Sequence, residues 1–165
     1  MAGNELLKMK RHAVADGLCA QYTKRWDEAS GLEDMVAMAT DANGMDFMAR
    51  SFAFGWGMSP DYTVATFGPY INGARVFQHE GYTGEIWCGV PRARIEQRAT
   101  TTLVACCDEA EVTVKKYRVC HLLVSGAGTV RIKCDGRAYI RVYGDAEVDV
   151  TGGGAWAMKR ITTDD

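Results

Sequence analysis

The side chains best suited to nucleophilic or metal chemistry in this 165-residue sequence are three histidines, His12, His79 and His121, and six cysteines. A thiol becomes a useful nucleophile when a neighbouring histidine takes its proton and leaves the thiolate. Cys88 or Cys107 beside His79 or His121 would be the pair to expect of a catalytic centre, but no local signature joins them. The cysteines also lack the paired Cys-x-x-Cys spacing of a zinc or iron–sulfur site. Asp41, Asn43 and Asp46 have neither the spacing nor the distal glutamate of a calcium loop, and are expected to mark helix termini. Gly55 and Gly57 are not followed by the Gly-Lys-Ser/Thr of a phosphate loop. The expectation is a chain with no catalytic residue, no cofactor and no metal.

Binding chemistry has more material. Trp56, Tyr70, Asn72, His79, Tyr82 and Trp87 offer aromatic faces and directional polar groups, a combination suited to a small molecule or a glycan. His79, with Glu80 and Tyr82, is expected in a glycine-containing recognition loop. A second set, Lys115, Lys116, Arg118, Arg131, Lys133, Arg137 and Arg141 with Tyr117, Tyr139 and Tyr143, would make a basic-aromatic face for a nucleic acid or an acidic partner. Asp135, Asp145, Glu147 and Asp149 interrupt it, and a net charge of −2 counts against nucleic acid as the main partner.

The elements that must position these groups are written as a repeat. Val112/Val114, Val130/Ile132 and Val148/Val150 recur at a spacing of 18, as do Leu122/Val124 and Ile140/Val142. A fixed period means stacked units, each too thin to bury its own apolar side chains. Alternating separations of 8 and 10 residues place two short strands in each coil. Inward columns are expected at Val104/Leu122/Ile140, Cys106/Val124/Val142, Val112/Val130/Val148, Val114/Ile132/Val150 and Cys120/Ala138/Trp156. Outward columns follow at Thr113/Arg131/Asp149 and Lys115/Lys133/Thr151, and His121 is expected to stack outside on Tyr139. Gly126 with Gly144 and Gly136 with Gly154 mark recurring corners. Ile86 and Cys88, 18 residues before Val104 and Cys106, open a first, irregular coil from which Pro91, Arg92 and Arg94 are expected to bulge.

Because 18 is also three times six, the segment resembles the left-handed β-helix of hexapeptide acyltransferases, with Val124, Val130, Val142 and Val148 in the repeated aliphatic place. Gly136 and Arg118 break that pattern, and the resemblance carries no catalytic residue over.

Residues 1–68 read differently. Leu7, Val14, Leu18, Tyr22 and Trp26 approximate a helical stripe after Asn4, and Ser30 with Glu33 forms a capping box. Asn43 is expected to cap a helix that carries Met45, Phe47, Met48 and Phe52, and Ser59-Pro60 to start a short one ending near Gly68. Asn72-Gly73 predicts a hairpin.

The fold expected is therefore α+β, a helical capping or docking subdomain (1–68) followed by a hairpin and short β-solenoid (69–165), with an antiparallel β-sandwich as the alternative. No apolar run is long enough to cross a membrane and no export signal is evident, so a cytoplasmic or intracellular site with reduced thiols is expected. The function expected is a noncatalytic structural or protein-interaction module forming a small homo-oligomer, in keeping with a bacterial or phage accessory protein. Thr162, Thr163, Asp164 and Asp165 are expected to oppose unlimited stacking. Small-molecule or glycan binding, an enzyme site between subunits, and nucleic-acid binding are the alternatives.

Overall fold

A computed structural model of the chain describes Lys24, Asp61, Ala65 and residues 42–55, 77–79, 81–126 and 128–162. Helix α1 (Ala42–Phe54) precedes β1 (Phe77–His79), β2 (Tyr82–Cys88), β3 (Arg92–Glu96), β4 (Thr101–Ala105) and β5 (Glu109–Val114). β6 (Val119–Ser125), β7 (Thr129–Cys134), β8 (Arg137–Tyr143), β9 (Glu147–Thr151) and β10 (Ala155–Ile161) follow. The chain deals its strands alternately to two sheets, β1-β2-β4-β6-β8-β10 and β3-β5-β7-β9. Every pairing except β1–β2 is parallel. This is the β-solenoid that the repeat predicts, and the parallel ladders exclude an antiparallel sandwich.

From β6 onward the register is the expected 18: Cys120, Ala138 and Trp156 form one column, and Leu122, Ile140 and Met158 the next. Earlier coils depart from it. Thr101 pairs with His121 and Glu109 with Thr129, a step of 20. Val104 consequently stacks on Val124, and Val112 on Ile132, two residues away from the expected partners. The outer columns shift with them to Glu111/Arg131/Asp149 and Thr113/Lys133/Thr151. The extra pair of residues sits in the β5–β6 corner, where Tyr117 takes φ 72 and stands 89% exposed. An even insertion preserves inside-outside alternation, so aliphatic columns survive the slip.

An odd step does not preserve it. Ile86 pairs with Leu103, 17 residues on, and so faces out of the solenoid while Trp87 faces in. Arg92 and Arg94 do not bulge either: they alternate with the buried Ala93 and Ile95 on β3.

Two cores result. Inside the solenoid, Leu122, Val124, Val130, Ile132, Ile140 and Val142 fill the space between the sheets. Outside the larger sheet, Ile86, Leu103, Leu123 and Tyr143 meet Met45, Met48 and Ala49 of α1. The apolar face of α1 thus lies across β4, β6 and β8 and does not cover a coil end. α1 begins at Ala42, just ahead of the Asn43 expected as its cap.

One corner recurs with its backbone conformation intact. Gly89, Cys106, Gly126 and Gly144 follow equivalent strand ends and all have positive φ, at 70, 56, 58 and 77. Cys106, expected inward, instead occupies this left-handed corner, a conformation that costs a non-glycine residue about 1–2 kcal/mol.

Candidate functional site

Of the candidate binding residues around the junction, the two whose side chains are described, Tyr82 and Trp87, do not share a surface. Trp56, Tyr70 and Asn72 lie outside the described residues, as do the Asn72-Gly73 hairpin and the helices expected before residue 42. His79 lies in strand β1 rather than in a loop, paired with Tyr82 of β2 across a turn that holds Gly81 at φ 70. Tyr82 and Trp87 diverge to opposite faces of β2. Tyr82 donates its hydroxyl proton to Met45 Sδ at 3.0 Å under the helix, and Trp87 packs into the solenoid interior.

The thiol–imidazole pairs do not form around His121. That ring stacks outside on Tyr139, with centroids 5.2 Å apart, whereas Cys107 points inward and Cys88 lies in register with Ala105 and Ser125, at the far end of the strand from His121. Cys88, Cys106, Cys107, Cys120 and Cys134 are unbridged. Burial pushes the Cys88 and Cys120 thiols up to about 12 and Cys106 to about 11, which keeps them protonated at neutral pH. Among the described residues, no three His, Cys, Asp or Glu side chains converge as a metal site.

The basic-aromatic set is divided between the two sheets. Arg131 and Lys133 face outward on β7, where Arg131 lies in register between Glu111 and Asp149. Farther along that sheet, Arg92–Glu109 (3.9 Å), Arg94–Glu111 (3.7 Å) and Lys115–Glu96 (2.5 Å) continue a ladder of paired charge. Arg137, Tyr139 and Arg141 lie on β8 of the other sheet, while Tyr143 is buried beneath α1.

The interior of the first coil is polar. Glu85 is 1% exposed and receives Arg98 at 3.1 Å. Burial raises its carboxyl above the ordinary 4.5, against the opposing pull of Arg98 and the Trp87 indole. Thr102 pairs with Glu85 on the next strand, and Gln97 is buried in the same coil.

At the other end, among the described residues, the solenoid's interior is open. Trp156 and Met158 of β10 continue the columns of Ala138 and Ile140, which are 0% and 2% exposed, yet they are 41% and 53% exposed themselves. Val148 and Val150 beneath them are only partly buried. β9 and β10 end their sheets, so each leaves one row of backbone donors and acceptors without a strand partner among the described residues. Burying a large apolar side chain stabilises by about 1.5–3 kcal/mol, so this coil forgoes what its predecessors gain. The repeat already placed Trp156 in an inward column; its place on β10, the edge strand of its sheet among the described residues, is what turns the column into a surface.

Fold and site together define a helix-flanked parallel β-solenoid with an open, apolar terminal coil. No protein-family model matches the chain, and no curated protein or solved structure matches it.

Proposed function

We propose that this chain is a noncatalytic protein-interaction module that forms a small homo-oligomer through the open end of its solenoid. The observation that carries this reading is the pair Trp156 and Met158, core residues by register and surface residues by exposure. A contact that adds strands to β9 and β10 would complete the interior and satisfy the edge backbone in one step. Sedimentation equilibrium from low micromolar to submillimolar concentration tests it. Association should appear in that range and be lost in Trp156→Asp and Met158→Asp, with the circular dichroism of the fold kept. A chain that stays monomeric throughout overturns the reading.

A second reading, binding of single-stranded nucleic acid, is favoured by one observation: the exposed Tyr139 ring, stacked on His121, lies on a strand that also carries Arg137 and Arg141. Salt-sensitive binding of an oligonucleotide, lost in the double variant Arg137→Gln and Arg141→Gln, would support it; no binding at low salt would end it.

A further inference from the structure

We infer that the partner at the open end is a second copy of this chain, related by a two-fold axis along the strands, so that β10 of each copy pairs with β9 of the other. This inference rests on the proposed role of that end and adds the partner, the axis and the register.

The last coil is a flattened loop: β9 runs to Thr151, Gly152 to Gly154 turn the corner, and β10 returns from Ala155. Positions equidistant from Gly153 therefore lie above one another across the coil, Val150 over Trp156, Val148 over Met158 and Glu147 over Lys159. Rotation about an axis parallel to the strands exchanges the two sheets and leaves position along the strand unchanged. β10 of one copy thereby lands beside β9 of the other, antiparallel to it, in a register that symmetry alone decides.

That register is complementary at every kind of site. Inward, Trp156 meets Val150 of the second copy and Met158 meets Val148, so both half-closed apolar columns are continued. Outward, Lys159 meets Glu147 of the second copy. Both are exposed, and each ends a column that calls for the other: Lys159 follows Arg141, and Glu147 follows Thr129 in the column begun by Arg92 and Glu109. The alternative two-fold, perpendicular to the sheets, pairs β9 with β9 and, in the register that overlaps the whole of that strand, sets Asp149 opposite Asp149, a like-charge contact that destabilises a ladder. The strand-parallel axis brings both edges of each copy into pairs, so the assembly closes at two chains.

With strands of 5 and 7 residues at about 3.3 Å per residue and sheets about 10 Å apart, the closed end buries on the order of 1,000 Å² in total. That is the lower limit of specific interfaces, and a micromolar dimer is the expectation.

The test is a charge exchange read by sedimentation equilibrium. Lys159 and Glu147 stand on the outer faces of opposite sheets, too far apart to interact within one chain. Lys159→Glu should weaken the dimer roughly tenfold, and adding Glu147→Lys should restore it, because the pair is then reversed across the interface. Dimerisation lost in Trp156→Asp but untouched by Lys159→Glu, or not rescued by Glu147→Lys, would overturn this axis and register while leaving the open end as the contact surface. Dimerisation indifferent to Trp156→Asp as well would overturn both.

Discussion

Tyr143 of β8 donates its phenolic proton to Asp46 Oδ1 of α1 at 2.5 Å, and this bond fastens the helix to the solenoid. The ring is fully buried, while the carboxylate also receives Arg50 at 3.1 Å and Arg141 at 3.5 Å. Burial and then Asp46 hold the Tyr143 hydroxyl well above its ordinary 10.0, so it remains a donor throughout the accessible range.

Tyr143→Phe should therefore cost about 1–2 kcal/mol, since the bond is to a charged acceptor that keeps its two arginines. Tyr143→Ala, which also empties a core site, should cost about 3–5 kcal/mol. Chemical denaturation checks both. Equal losses in the two variants would contradict the assignment of packing and hydrogen bonding to separate contributions.

The corners give a graded prediction. A Cβ on Gly136 would collide with the Arg118 carbonyl oxygen, a backbone atom of the preceding coil. Gly136→Ala should cost about 3 kcal/mol or more, because two coils must separate to admit it. At Gly144 the nearest contact is an ordinary 3.4 Å and only the φ of 77 opposes a side chain. Gly144→Ala should cost about 1–2 kcal/mol. Thermal melts that rank the two in the opposite order would contradict the close stacking of the corners.

Glu85 makes stability depend on pH with a sign opposite to that of a paired surface carboxylate. Its folded-state carboxyl is held above the ordinary 4.5, so the folded chain keeps the proton longer than the unfolded one. As pH rises above 4.5 the unfolded state ionises first, and stability falls until the folded carboxyl has also ionised. Glu85→Gln should flatten this part of the stability profile. An unchanged slope would show that the buried carboxyl does not titrate as its surroundings dictate.

His121 runs the other way. Burial, and then the Arg141 guanidinium, hold its imidazole below the ordinary 6.5. As pH falls below 6.5 the unfolded chain takes up the proton first, and stability is lost until the folded imidazole protonates as well. Arg141→Gln should bring the His121 titration, followed by NMR, partway back toward 6.5, leaving the part due to burial. A midpoint unmoved by that change would remove Arg141 as a cause.

How far these features could be read from the sequence depended on which ones repeat. Valine, isoleucine and leucine at alternate positions carry the coil period, and Gly126 with Gly144 marks the corner because left-handed backbone favours glycine. The two-residue slip at Lys115–Arg118 was hidden because an even insertion leaves every side chain on its face. The odd step at Ile86 was hidden for another reason: both faces of β2 are buried, one by the solenoid and one by α1, so hydrophobicity there has no single side. Asp46 read as a helix-terminal residue because nothing local shows that Tyr143, 97 positions later, folds against it. The open end combined a legible column with an illegible exposure, since the period assigns Trp156 inward, whereas its 41% exposure follows from β10 standing at the edge of its sheet among the described residues.

Hydrogen exchange of β9 and β10 at low and high protein concentration reports whether the edge of the last coil is the association surface. Along each strand alternate amides face the neighbouring strand and the others face the open edge. The edge-facing amides should exchange rapidly in dilute protein and become protected as concentration rises, while amides of β6 and β7 are protected throughout. Edge amides of β9 and β10 whose exchange does not change with concentration would contradict association through that edge.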